Sequence, residues 1–324
     1  MDIVIPDDYP PTYATLEQPD LQRLAAYGSV RLHTSRAVDR ADLFGRIVTA
    51  DVIINVRAYT LLDDEAFQHA PRLKLISILG TGTDNVDLEA ATRRGVSVTN
   101  TPGVGAPSVA ELTVGLILGL VRAIPSSDAR LRAGVWQHHE GPELAGKTLG
   151  LLGLGAIGQY VARLGGALGM RVIAWSYSTD PGRADRLGVE LVERDDVFRR
   201  ADVVSVHLRN TAEVRGLVGA RELALMKPTA YLINTARGAL VDEAALAAAL
   251  RTRQIAGAAL DVYTEEPLPP DSPLWAMDNV IVSPHSASTV STENEALTDL
   301  FLDNLARFAD GRLLRNRYEP ADGY

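Results

Sequence analysis

Apolar positions along the chain follow two alternating rhythms, and the alternation predicts the architecture. Residues 3–5, 30–33, 51–56, 73–79 and 96–99 are short apolar runs rich in β-branched side chains, as strands buried on both faces require. Between them, residues 21–27, 42–49, 63–69 and 87–94 carry helical spacing, and Gly28 and Gly95 stop two of these segments. Strand and helix alternate, so the first hundred residues read as a parallel α/β domain. The run Asn100-Thr101-Pro102-Gly103 breaks the pattern. Residues 107–124 then form a long helix, apolar enough to demand burial, that leads into a second region through a polar segment holding Trp136, His138 and His139. Strands are expected next at Thr148, Arg171, Val203, Ala230, Ala258 and Val280, with helices between them. Glu293–Ala309 closes the chain as one amphipathic helix ended by Gly311.

The centre of the second region is KTLGLLGLGAIGQYVARLGGALGMRVIAWS, residues 147–176. An apolar strand runs into Gly153, Gly155 and Gly158 in the spacing G-x-G-x-x-G. Ile157, Val161, Leu164 and Leu168 then mark one face of a helix, and residues 170–175 form a second strand. In such a unit the first glycine allows a tight turn, the second lets backbone approach a pyrophosphate, and the third lets helix pack on strand. The free N–H groups at the helix start favour the anion. A bare glycine motif would also suit a turn that only needs close packing; the strand-helix-strand context turns the reading to dinucleotide binding. One position departs from the NAD pattern: Ser176 stands where an acid normally holds the ribose hydroxyls.

Composition narrows the function. The formal charge of -9 and the lack of a Lys/Arg block argue against nucleic acid and anionic lipid as partners. No cysteine is present, which removes disulfides, thiol nucleophiles and Cys-ligated zinc, and no metal site is expected. The acidic start MDIVIPDDYPP lacks the basic region of a signal peptide, and residues 112–124 are too few to span a bilayer, so a cytoplasmic protein is expected.

Four stretches carry candidate chemistry. In NTARGALVDEAAL, Arg237 follows an apolar strand at the end where α/β sheets bind ligands, and a guanidinium there can clamp a carboxylate with two hydrogen bonds. Taken alone, it is equally a surface arginine capping the next helix or pairing with Asp242. ALDVYTEEP and VSPHSAST each begin at a strand's carboxyl end and contribute Glu266 and His285. A carboxylate beside an imidazole is expected to raise its pKa and keep a proton available near neutrality, as carbonyl reduction requires. A lone histidine after a strand is ordinarily structural. In the first domain, the backbone of Gly80-Thr81-Gly82 offers N–H groups that could hold a substrate carboxylate.

Together TGTDNVDLEAA, NTPGVGAPSVAELT, GLGAIG, INTARGALVDEAAL, ALDVYTEEP and SPHSAS, in this order, resemble the D-isomer-specific 2-hydroxyacid dehydrogenase family, which includes phosphoglycerate dehydrogenases and glyoxylate/hydroxypyruvate reductases. The resemblance implies a flavodoxin-like substrate domain from residues 1–100 and 290–324 and a Rossmann NAD(P)-binding domain from residues 101–289, with a cleft between them. It implies Arg237 on the substrate carboxylate and carbonyl, His285 as acid/base and Glu266 as its partner. Further implied coenzyme contacts are Gly153, Gly155, Ala156, Ile157, Gly158, Ser176, Thr211, Thr235, Ala236, Asp261 and His285. Substrate contacts are Arg57, Gly80, Thr81, Gly82 and Arg237. Arg57 is equally a solvent-exposed loop charge. Trp136 resembles a residue of a dimerisation arm, and a homodimer is implied. Ser176 removes both the acceptor that favours NAD(H) and the charge that repels NADP(H), and the reading leans slightly to NAD(H). Arg209, where many relatives have proline, has no explanation here. The chain is expected to lack the regulatory domain of some phosphoglycerate dehydrogenases. The alternative from another class is a nucleotide-sensing corepressor of the same fold with little turnover.

Overall fold

The computed structural model describes the chain except residues 10, 12, 14–18, 57, 58, 178, 179, 291, 292 and 319–324. The chain divides into two compact units, one of Met1–Gly105 with Val290–Tyr324 and the other of Ala106–Thr289.

The first unit holds strands β1 (Asp2–Ile5), β2 (Ser29–Leu32), β3 (Val52–Asn55), β4 (Leu75–Ile78) and β5 (Ser97–Thr99). Helices α1 (Pro19–Leu24), α2 (Arg40–Ile47), α3 (Asp64–Gln68) and α4 (Leu88–Arg93) alternate with them. Every pairing is parallel and the order is β2-β1-β3-β4-β5, the flavodoxin-like arrangement. Alternate residues of each strand feed different apolar clusters. Ile3, Ile5, Val52 and Ile54 pack with Phe301, Leu302 and Leu305 of the C-terminal helix Glu293–Ala309. Val4 and Ile53 pack with Leu43, Ile47 and Phe67 on the other face. Helices α2, α3 and α4 each begin after an aspartate, Asp39, Asp63 and Asp87, whose carboxylate accepts the N–H three residues on.

The second unit begins with α5 (Ala106–Val121) and α6 (Ile124–Arg132). It continues through β6 (Thr148–Leu152), α7 (Ala156–Ala167), β7 (Arg171–Trp175), α8 (Pro181–Leu187), β8 (Val189–Leu191), α9 (Arg194–Arg200) and β9 (Val203–Val206). It ends with α10 (Ala220–Leu225), β10 (Tyr231–Asn234), α11 (Glu243–Arg251), β11 (Gly257–Leu260) and β12 (Val280–Val282). The parallel order β12-β11-β10-β9-β6-β7-β8 places the reversal of strand order between β6 and β9, next to the glycine loop. Both units are therefore parallel α/β, as the apolar rhythm predicts. Among the described residues, no single helix is long and apolar enough to cross a membrane.

Two elements differ from expectation. The helix expected at residues 107–124 is α5, which ends at Val121, and a second helix not expected, α6, follows at a bend of 59°. Ala123 takes a left-handed backbone with φ 49°, and Pro125, which lacks an N–H, restarts the helix as α6. α6 has no buried residue, so it carries no apolar stripe by which its sequence could announce it. The sheet also has a seventh strand, β8, whose three residues are too few for a periodic signal.

Candidate active site

The glycine loop is built as the spacing requires. Gly153 has φ +104°, and a Cβ there would lie 2.4 Å from the His207 carbonyl oxygen. A Cβ on Gly158 would lie 2.3 Å from the Gly153 carbonyl oxygen, so α7 can start against the turn only without a side chain. Gly155 differs: nothing lies within 4 Å of its Cβ position, which faces open space. α7 has no side-chain cap, and its first residues Gly155 and Ala156 are exposed. An uncapped helix start beside an open backbone surface fits a dinucleotide pyrophosphate. The coenzyme would be held by the N–H groups of Ala156, Ile157 and Gly158.

These contacts separate two glycine substitutions. Gly158→Ala is expected to destabilise the fold by about 1–3 kcal/mol, because neither backbone segment can withdraw. Gly155→Ala should leave stability within about 0.5 kcal/mol yet weaken NADH binding roughly tenfold, about 1.4 kcal/mol, by filling the open surface. Thermal melts and fluorescence titration with NADH check both, and unchanged NADH affinity in Gly155→Ala would remove the cradle assignment.

Three loops at the carboxyl ends of the adjacent strands β10, β11 and β12 carry Arg237, Glu266 and His285. His285 Nδ1 lies 2.7 Å from Glu266 Oε2. The second oxygen of Glu266 accepts the Tyr263 N–H at 3.1 Å. Burial alone would raise the Glu266 carboxyl, but the hydrogen bonds and the charges of His285 and Arg237 leave it below its ordinary value. Glu266 is thus an ionised, oriented acceptor that leaves His285 Nε2 as the ring nitrogen available to a ligand. Gly238 explains how the Arg237 loop approaches: its Cβ position is 1.9 Å from the Tyr263 carbonyl carbon, so only glycine fits. The Arg237 guanidinium donates to the Ala236 carbonyl oxygen at 2.8 Å.

The chain matches a described family. Residues 114–287 match the model of the D-isomer-specific 2-hydroxyacid dehydrogenase NAD-binding domain. The chain belongs to that family. As a member of this NAD(P)-dependent oxidoreductase family, it is 44% identical over 271 residues to a glyoxylate reductase of Aeropyrum pernix, covering 80% of this chain and 81% of that one. It is 44% identical over 265 residues to a D-3-phosphoglycerate dehydrogenase of Mycobacterium leprae, covering 81% of this chain and 50% of the relative. The chain thus spans about half the length of that relative. Among solved structures, an acyclic imino acid reductase in complex with NADPH and D-Arg has a TM-score of 0.88 at 27% identity, covering 98% of this chain and 100% of that one.

The remaining positions expected to touch coenzyme or substrate differ in their exposure and bonding. Thr235 is buried, with its hydroxyl 2.9 Å from that of Thr113 on α5, whereas Ala236 is half-buried and Thr211 exposed. Asp261 is fully buried and bonded to the His285 loop. In the first unit, the expected row of free donors at residues 80–82 is shorter than the sequence suggested. Gly80 N–H donates to Thr101 Oγ1 at 2.7 Å, because Asn100-Thr101 folds back over the turn. Among the described residues, Thr81 and Gly82 keep their N–H groups unbonded. Arg57 lies outside the described residues.

His207, unremarked in the sequence, borders the glycine loop through its carbonyl. Its Nε2 meets Ser205 Oγ at 2.9 Å while Nδ1 is buried without a partner. Burial lowers its pKa to about 3. Burial also lowers His33, with help from the charges of Arg46 and Arg31. The unfolded chain therefore binds protons near pH 6.5 that the folded protein refuses. Stability should fall as pH drops below that value, with His207 contributing up to about 1.4 kcal/mol per pH unit. Urea unfolding at pH 7, 6 and 5 tests this, since His207→Gln should flatten the slope, and an unaltered slope would clear His207 of the effect.

Proposed function

We propose that this chain reduces small 2-keto acids with NAD(P)H, and oxidises D-2-hydroxy acids in the reverse direction. The observation that carries the proposal is the Glu266–His285 pair at 2.7 Å, in the field of Arg237, on three adjacent strand ends. Arg237 clamps the substrate carboxylate and polarises the keto oxygen. When bound, the nicotinamide supplies the hydride to the carbonyl carbon. His285 Nε2 gives its proton to the carbonyl oxygen, and Glu266 holds the opposite nitrogen and orients the ring. In oxidation neutral His285 takes the hydroxyl proton.

NAD(H) is the proposed first coenzyme, with NADP(H) accepted. Ser176 carries no charge to repel a 2'-phosphate. Arg183, seven residues on, donates to the Leu154 carbonyl at 3.4 Å and lies 3.7 Å from Asp180, so its charge is partly engaged. A homodimer is proposed from the second unit. α6 buries no residue, and Ile124, Leu131, Val135 and Trp136 nearby are 54%, 54%, 48% and 79% exposed.

The testing experiment is a panel of glyoxylate, hydroxypyruvate, pyruvate, phenylpyruvate and phosphohydroxypyruvate, each assayed with NADH and NADPH. Oxidation of either coenzyme by at least one acid is expected. Consumption of neither, with NADH still bound, would return the chain to a nucleotide-sensing protein.

A further inference from the structure

Asn234 is the last residue of β10, and Asp261 follows directly on β11. The two strands run side by side in parallel register, and the Asp261 N–H donates to the Asn234 carbonyl at 3.0 Å. Both side chains are buried, 1% and 0% exposed, which places strong hydrogen-bonding groups where water cannot serve them. Their partners are the two loops that carry Arg237 and His285. Asn234 Nδ2 donates to the Arg237 carbonyl at 2.9 Å, and its Oδ1 accepts the Ala236 N–H at 3.1 Å. The amide closes this turn from both polar ends, and Arg237 leaves it with extended backbone, φ -148° and ψ 140°.

Asp261 does the same for the histidine loop. Its Oδ1 accepts from Ser283 Oγ and from the Ser286 N–H at 3.0 Å, and its Oδ2 accepts the Ala287 N–H at 2.9 Å. These donors bracket His285, whose φ of +50° is a left-handed backbone that costs a side-chain-bearing residue roughly 1–2 kcal/mol. Such a conformation persists only where its surroundings enforce it.

We infer that Asn234 and Asp261 are paired positioning residues: joined by one backbone hydrogen bond, they set Arg237 and His285 at fixed places relative to each other. The inference rests on the proposed roles of Arg237 and His285. It gives Asp261 a task beyond the coenzyme contact implied by the family resemblance, since three donors from the histidine loop already occupy its carboxylate. The two residues act on different loops, so their substitutions should have different signatures. Asp261→Asn presents an amide N–H₂ to a backbone N–H and releases the histidine loop. Asn234→Asp loses the donor to the Arg237 carbonyl and sets oxygen against oxygen, releasing the arginine loop.

The experiment measures NADH affinity by fluorescence, kcat and KM for a 2-keto acid, and the imidazole ¹⁵N spectrum, in which the His285 signal is identified by its loss in His285→Gln. For Asp261→Asn, kcat should fall about 100-fold, as a displacement of about 1 Å can produce. His285 Nδ1 should lose its hydrogen-bonded shift, whatever the substitution does to NADH affinity. For Asn234→Asp, the keto-acid KM should rise about tenfold with the His285 spectrum unchanged. Ser283→Ala, which removes one Asp261 donor, should give a milder version of the Asp261 effect should Asp261→Asn not fold. An unchanged His285 spectrum in Asp261→Asn or Ser283→Ala overturns the inference, whether NADH affinity or only the melting temperature falls. The spectrum and NADH affinity need no turnover, so failure of the parent protein to reduce any 2-keto acid is distinguishable from failure of the inference.

Discussion

His285→Gln is expected to lower kcat for 2-keto acid reduction by about a thousandfold while leaving NADH affinity within about twofold. Glutamine can still donate a hydrogen bond toward Glu266 through its amide N–H₂, so the loop keeps a partner. It cannot give up a proton near neutral pH, and general acid catalysis by a placed side chain is worth roughly 10²- to 10⁴-fold. The coenzyme prediction follows from geometry: the glycine loop at β6 and α7 is separate in the sheet from the β12 end that carries His285. Stopped-flow reduction and fluorescence titration read the two quantities independently. Retention of normal kcat would remove His285 from the proton transfer.

Arg237→Lys should cost about 30- to 150-fold in kcat/KM for the 2-keto acid, the equivalent of one charge-assisted hydrogen bond of about 2–3 kcal/mol. Lysine keeps the charge, and its ammonium can still reach the Ala236 carbonyl that Arg237 Nη1 meets at 2.8 Å. The planar fork that serves carboxylate and carbonyl together is lost. The loss should appear mainly in keto-acid KM, since the carboxylate is gripped before reaction as well as during it. Steady-state kinetics across the substrate panel check this, and near-wild-type values with every acid would exclude Arg237 from the carboxylate site.

Most of the fold was legible because its signals are local. Strands such as Ile3–Ile5 and Val52–Ile54 are buried on both faces and read as unbroken apolar runs, and the glycine spacing sits between a strand and a helix in the required order. What escaped lacked such a signal. α6 buries nothing and β8 has three residues. Gly80 loses its donor to Thr101, a residue 21 positions on, which no pattern within the turn announces.

Of the candidate site, Arg237, Glu266 and His285 could be named from residue type and strand-end position, because chemistry restricts which side chains can clamp a carboxylate or carry a proton. Their mutual arrangement came from contacts between segments distant in the chain. The Glu266–His285 bond, the packing of Gly238 on Tyr263 and the burial of Asn234 and Asp261 all depend on β10, β11 and β12 lying side by side. His207 belongs to the same class, since its depressed pKa arises from desolvation by neighbours. By itself the sequence determined that this is a two-part parallel α/β protein with a dinucleotide loop and a set of acid-base candidates, since backbone periodicity and side-chain chemistry are carried by each residue. The tertiary structure decided which donors remain free, which carboxylate faces the imidazole and which buried groups hold the loops. Hydrogen bonds and desolvation act over a few ångströms in space, whatever the distance along the chain.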